Sequence, residues 1–167
     1  MKSAARIALA AASGVTLIAA AAVNRHDLAL RNSSPSVPVG YYLRTSADAV
    51  PGTFVTVRAA DVAPAYTAMR DFTDPGDRFI KRVAAVAGDE VCANGADVSI
   101  NGAVMAHREA HDSAGRALPT WSGCRTLSAD ELLLLGDTLD SFDGRYWGPI
   151  SRRLVEGVWR PIATSGG

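Results

Sequence analysis

Beyond residue 35 the chain is broken into short β-type runs bounded by turn residues, among them Thr53 to Val57, Arg78 to Val86, Val98 to Ile100, Leu132 to Leu135 and Leu154 to Trp159. Runs this short, rich in branched and apolar residues, suit strands rather than helices. The pattern predicts a mainly β, strand-rich domain. Asn101-Gly102, between Val98-Ser99-Ile100 and Ala103-Val104-Met105, predicts a hairpin over 97–106, because both central residues of a type I′ turn take positive φ. Asp61 to Phe72 carries a weak helical pattern through Ala65, Ala68 and Met69 and predicts one short helix. Residues 107–126, with His107, Asp112, Gly115, Pro119 and Gly123, read as a long surface excursion.

The N-terminus has a different character. Lys2 and Arg6 precede an uncharged run from Ile7 to Val23, which ends at Asn24, Arg25, His26 and Asp27. As a helix its roughly 17 residues reach about 26 Å, against a hydrocarbon core of about 30 Å. Two readings fit. Residues 1–6 stay inside and 7–23 form a retained transmembrane anchor, or the alanine-rich end Ala19 to Ala22 marks a cleavable signal peptide. The anchor is preferred, because a tether concentrates an enzyme beside membrane-borne substrates. On either reading residues 24–35 form a short tether and 36–167 an exported domain.

The chain has 167 residues, 48% of them apolar, enough for a single core. Lysine plus arginine and aspartate plus glutamate both number 17, so nothing marks a nucleic-acid partner. Cys92 and Cys124 in an oxidising compartment predict a disulfide that staples the 107–126 excursion. No Cys/His cluster suggests zinc, and His107-Arg108-Glu109-Ala110-His111 has its glutamate misplaced for a zinc peptidase, within a loop-like setting.

Three stretches hold residues suited to chemistry. In Ser34-Pro35-Ser36-Val37-Pro38 the prolines push Ser34 and Val37 into extended conformations, in which Ser34 and Ser36 face the same side. One hydroxyl then serves as nucleophile, the other joins the Ser36 amide as an oxyanion donor; alternatively the serines only satisfy an ordinary loop. In Phe79-Ile80-Lys81-Arg82-Val83 a strand places Lys81 between two apolar side chains, where burial lowers its pKa and makes it a base. The alternative is a lysine snorkelling from an edge strand. The third stretch, Leu132 to Pro149, is a buried strand delivering the polar loop Gly136 to Gly148, which fits a functional loop, a calcium-like acidic loop, though its oxygens lack the regular spacing of an EF-hand, or a structural turn.

Together these stretches resemble the serine/lysine signal peptidases of family S26, and most closely their conjugative-transfer, TraF-like branch. Ser36-Val37-Pro38-Val39-Gly40-Tyr41-Tyr42 looks like that branch's nucleophile box. Ile80-Lys81-Arg82-Val83 with Gly88-Asp89 is similar to the general-base box, and Gly136-Asp137 with Ser141 to Pro149 to the last box. Gly144 stands where many relatives have serine, and Thr138 where leader peptidases have asparagine.

The resemblance implies a signal-peptidase-like (LexA-like) fold behind an N-terminal transmembrane helix, in a single-pass protein of a bacterial inner membrane with a periplasmic catalytic domain. It implies Ser36 as nucleophile, Lys81 as general base, Ser34 and the Ser36 amide as oxyanion hole, and Ser141 orienting Lys81. It pairs Arg82 with Asp137 and Asp143 with Arg145 as ion pairs bracing the site. No metal or other cofactor is required, and the implied partner is an exported precursor, such as a pilin, with small residues before the cut. Competing readings are a general leader peptidase, a self-cleaving repressor, disfavoured by the export segment and the lack of a DNA-binding module, and a non-catalytic exported scaffold.

Overall fold

A computed structural model describes residues 27–165. The expected membrane segment, 7–23, and the expected cytoplasmic residues 1–6 lie outside them. Among the described residues no helix is long and apolar enough to cross a membrane.

Two antiparallel sheets make up the domain. The larger has the strand order β1-β2-β11-β3-β4-β9-β10, from β1 (Ala29–Asn32), β2 (Val39–Thr45), β3 (Phe54–Arg58), β4 (Arg78–Ala85), β9 (Glu131–Leu135), β10 (Ile150–Ser151) and β11 (Val155–Ser165). The smaller, ordered β7-β6-β5-β8, consists of β5 (Glu90–Asn94), β6 (Asp97–Ile100), β7 (Ala103–His107) and β8 (Gly123–Thr126). The domain is thus mainly β, as the short runs predict.

The unbroken Leu132-Leu133-Leu134-Leu135 run is explained by burial on both faces. Leu132 and Leu134 join Val55, Val57 and Val83 in one core, while Leu133 and Leu135 join Ala85, Val91, Val98 and Ile100 in another. Strand side chains alternate, so β9 is shared between the large sheet's core and the contact with the small sheet. A third cluster, Val37, Tyr42, Phe54, Ile80 and Trp159, lies under the serine segment.

Local expectations hold in some places and are corrected in others. Asn101 and Gly102 take φ of 50° and 80° and join β6 to β7. The single helix expected over Asp61 to Phe72 is instead two short ones, α1 (Ala59–Val62) and α2 (Pro64–Ala68). Proline excludes its predecessor from helical conformation, and Ala63 accordingly sits at φ −146°, ψ 56°. The tether 24–35 contains β1, which pairs with β2 from Ala29↔Leu43 to Asn32↔Gly40. The 107–126 excursion ends in β8, where Cys124 lies opposite Cys92 of β5 and is disulfide-bonded to it.

Candidate active site

The serine segment is the turn between β1 and β2. Ser34 and Ser36 meet there, but not in the extended chain expected, because Pro35 and Ser36 form a turn. That turn brings Ser34 Oγ to 3.2 Å from Ser36 Oγ and lets the Ser36 amide donate to Ser34 Oγ at 3.4 Å. Asn32, buried at the end of β1, clamps it: its Nδ2 donates to the carbonyls of Ser34, Val37 and Pro38, and its Oδ1 accepts from the Ser34 amide. Tyr42 OH donates to Pro38 O at 2.6 Å from below. Gly40 has a steric reason, since a Cβ there would stand 2.1 Å from Ala163 O of β11.

Lys81 is held by β4, hydrogen-bonded to β3 on one side and β9 on the other. An interior strand leaves no route for snorkelling. Lys81 is 4% exposed, and its Nζ lies 2.7 Å from Ser36 Oγ, 45 residues away in sequence. Burial pushes its pKa down from 10.5 to about 8. The Asp143 carboxylate opposes this most strongly, but the Arg145 guanidinium paired with it works the other way, so desolvation prevails.

The loop after β9 closes the site. Gly136 admits no side chain: a Cβ would fall 2.1 Å from Ser141 Oγ and 2.7 Å from Ser36 O. The Asp137 amide donates to Ser36 O at 2.6 Å, and the Asp137 carboxylate takes two hydrogen bonds from Arg82, at 2.9 and 2.6 Å. This ion pair is about one-third exposed and serves mainly as geometry. Asp143 and Arg145 form a fully buried pair at 2.9 Å. Asp143 also accepts from the Gly136 amide, and Arg145 reaches the carbonyls of Thr138, Leu139 and His107. A buried pair satisfied on every side fixes loop shape.

Ser141 lines the same cavity as Ser34, Ser36 and Lys81, but the hydrogen bond expected from it to Lys81 is not formed. Its Oγ and that of Thr138 are buried without a hydrogen-bond partner among the described residues. Gly144, which begins the short helix α3 (Gly144–Trp147), packs so tightly on β9 that a Cβ would approach Leu134 O to 2.5 Å. A serine there would require this loop and β9 to move apart. The Gly88-Asp89 tail of the lysine segment stands apart from the serines: Asp89 accepts from the Val86 amide and from Asn101 Nδ2, closing the β4–β5 turn. Among the described residues no cluster of three or more His, Cys, Asp or Glu side chains is placed to hold a metal ion.

The clamp residue Asn32 was missed in the sequence. Its signal was available, since Asn-Ser-Ser-Pro is the sequence of an Asx-turn, in which the asparagine side chain bonds the amide two residues on. Of the other cavity residues, Phe142 lay in the last box without a role read for it, and Arg70 had no local signal.

A buried lysine against a serine hydroxyl, on a mainly β scaffold, is a site shared by serine/lysine hydrolases. The chain belongs to the signal peptidase, peptidase S26 family, whose profile matches residues 1–163. Among its relatives is a plasmid transfer protein TraF of Escherichia coli, 38% identical over 144 residues that cover 80% of this chain and 81% of the relative. A second plasmid transfer protein TraF of Escherichia coli is 35% identical over 145 residues, with the same coverage. A crystal structure of a signal peptidase I from Enterococcus faecalis aligns with TM-score 0.40 and 20% identity, over 68% of this chain and 98% of that one.

Proposed function

We propose that the protein is a membrane-anchored serine endopeptidase that processes exported precursors, a pilin precursor of a conjugation system foremost among them, on the periplasmic side of a bacterial inner membrane. The observation that carries the reading is the 2.7 Å approach of Ser36 Oγ to a lysine 4% exposed. The likeness to plasmid transfer proteins supports the conjugation branch over a general leader peptidase. Residues 7–23 supply the anchor by their hydropathy and basic flank.

In this reading neutral Lys81 accepts the Ser36 proton as Ser36 Oγ attacks the scissile carbonyl. The oxyanion is met by the Ser36 amide and the Ser34 hydroxyl. In the free enzyme these two donors bond weakly to each other's residues, at 3.4 and 3.2 Å, so both are free to exchange onto substrate. Protonated Lys81 returns the proton to the leaving amine, and water then releases the acyl group from Ser36 by the same route. A rotation of the unpartnered Ser141 hydroxyl toward Lys81 supplies the orienting contact once substrate is bound.

Ser36→Ala and Lys81→Ala, co-expressed with a candidate pilin precursor, are expected to leave it unprocessed by mass spectrometry, with the fold retained by circular dichroism. Processing by either variant, or an inactive wild-type protein whose Ser36 resists a serine-reactive probe, would overturn the assignment.

A further inference from the structure

Beside the Ser36 cavity lies a second pocket of about 190 Å³, lined by Tyr66, Arg70, Phe72, Phe79 and Phe142. Arg70, Phe79 and Phe142 line both, so the two spaces share a wall. The Phe79 ring centroid lies 5.8 Å from Lys81 Nζ, and that of Phe72 lies 5.4 Å from Phe79. An extended peptide advances about 3.3 Å per residue. A side chain one or two residues from a bond held at Ser36 therefore reaches this pocket.

The walls are four rings from separate parts of the chain. Tyr66 stacks on Phe142 with centroids 4.1 Å apart, and Phe142 meets Phe79 edge to face at 5.8 Å. Tyr66 is fixed because its hydroxyl donates to Asp112 Oδ2 at 3.0 Å. Arg70 Nη1 donates to the same hydroxyl at 3.2 Å, with its guanidinium 5.5 Å from the Tyr66 ring centroid. An apolar space of about 150 Å³ holds a benzene molecule. One of this size, with aromatic walls and a guanidinium alongside, suits a ring through edge and stacking contacts and cation–π attraction. An alanine methyl is too short to use it.

We propose that this aromatic-walled pocket is a specificity site for an aromatic side chain of the substrate polypeptide, within two residues of the scissile bond. The proposal rests on the peptidase reading above. It adds a second requirement to the small residue expected before the cut.

The test uses the full chain in detergent. A proteome-derived peptide library is digested and the cleaved bonds are read by mass spectrometry. Separately, the Ser36→Ala protein is titrated with an alanine peptide flanked by lysines and with its single-phenylalanine variants. Aromatic residues are expected to be enriched at one position within two residues of the cut, and one phenylalanine peptide to bind about tenfold or more tighter than the alanine peptide, the order given by burying one ring. Phe72→Ala, which opens a wall, and Phe72→Trp, which fills the space while keeping aromatic packing, are each expected to reduce that ratio below about threefold. Equal binding of all the peptides, or a preference unchanged in both variants, would overturn the proposal. Selective binding by a wild-type protein that cleaves nothing would instead overturn the peptidase reading and leave the pocket standing.

Discussion

Replacing Lys81 with methionine removes the charge-bearing group while keeping much of its shape, and it is expected to make the protein more stable while abolishing cleavage. Lowering the lysine pKa from 10.5 to about 8 corresponds to roughly 3 kcal/mol of folding free energy lost to the buried ammonium, at about 1.4 kcal/mol per tenfold. The lost hydrogen bond to Ser36 offsets about 1 kcal/mol of this. Lys81→Met should therefore be about 2 kcal/mol more stable than wild type at pH 6.5. Between pH 8 and 10.5 the unfolded chain holds a proton on Lys81 that the folded chain has released, so wild-type stability rises with pH across that window. Most of the variant's advantage should be gone by pH 10. Urea unfolding of both proteins in the same detergent, at pH values from 6.5 to 10, measures the difference and cancels groups common to both. A difference that stays flat across that window would refute the claim that desolvation sets the basicity of Lys81.

On the proposed peptidase reading the same pKa governs the pH–rate profile: with the neutral amine as base, kcat/KM should climb about tenfold per pH unit below about 8 and level off above it, whereas Lys81→Arg, which stays charged, should be inactive at every pH. Gly136→Ala drives a methyl against Ser141 Oγ and Ser36 O, and cleavage should fall about 100-fold, as misplacing a reacting group by about an ångström does. Arg145→Met leaves Asp143 charged and buried, and urea unfolding should show a loss of about 3–5 kcal/mol, whereas Arg82→Met, breaking a partly exposed pair, should lose about 1 kcal/mol or less. Reducing Cys92–Cys124, 32 residues apart, should destabilise by about 3–4 kcal/mol by unfolding with and without dithiothreitol, while cleavage at room temperature persists because the bond lies in the small sheet.

What the sequence determined by itself was local. Backbone preferences act over a few residues, so Asn101-Gly102 specified its hairpin and the four leucines a buried strand, whereas the weak helical pattern over Asp61 to Phe72 concealed the break that Pro64 imposes. The resemblance carried by Ser36, Lys81 and the loop from Gly136 to Pro149 pointed to the family before any distance was known. Tertiary structure decided what depends on distant groups. Whether Lys81 snorkels or is buried follows from β3 and β9 flanking β4, and its basicity follows from desolvation by elements up to dozens of residues away. The extended geometry expected at Ser34 and Ser36 gave way to a turn held by Asn32, and Ser141 came to the cavity without bonding Lys81. The aromatic pocket arises only where Tyr66, Phe72, Phe79 and Phe142 converge. No sequence window contains all four, because packing, not periodicity, brings them together.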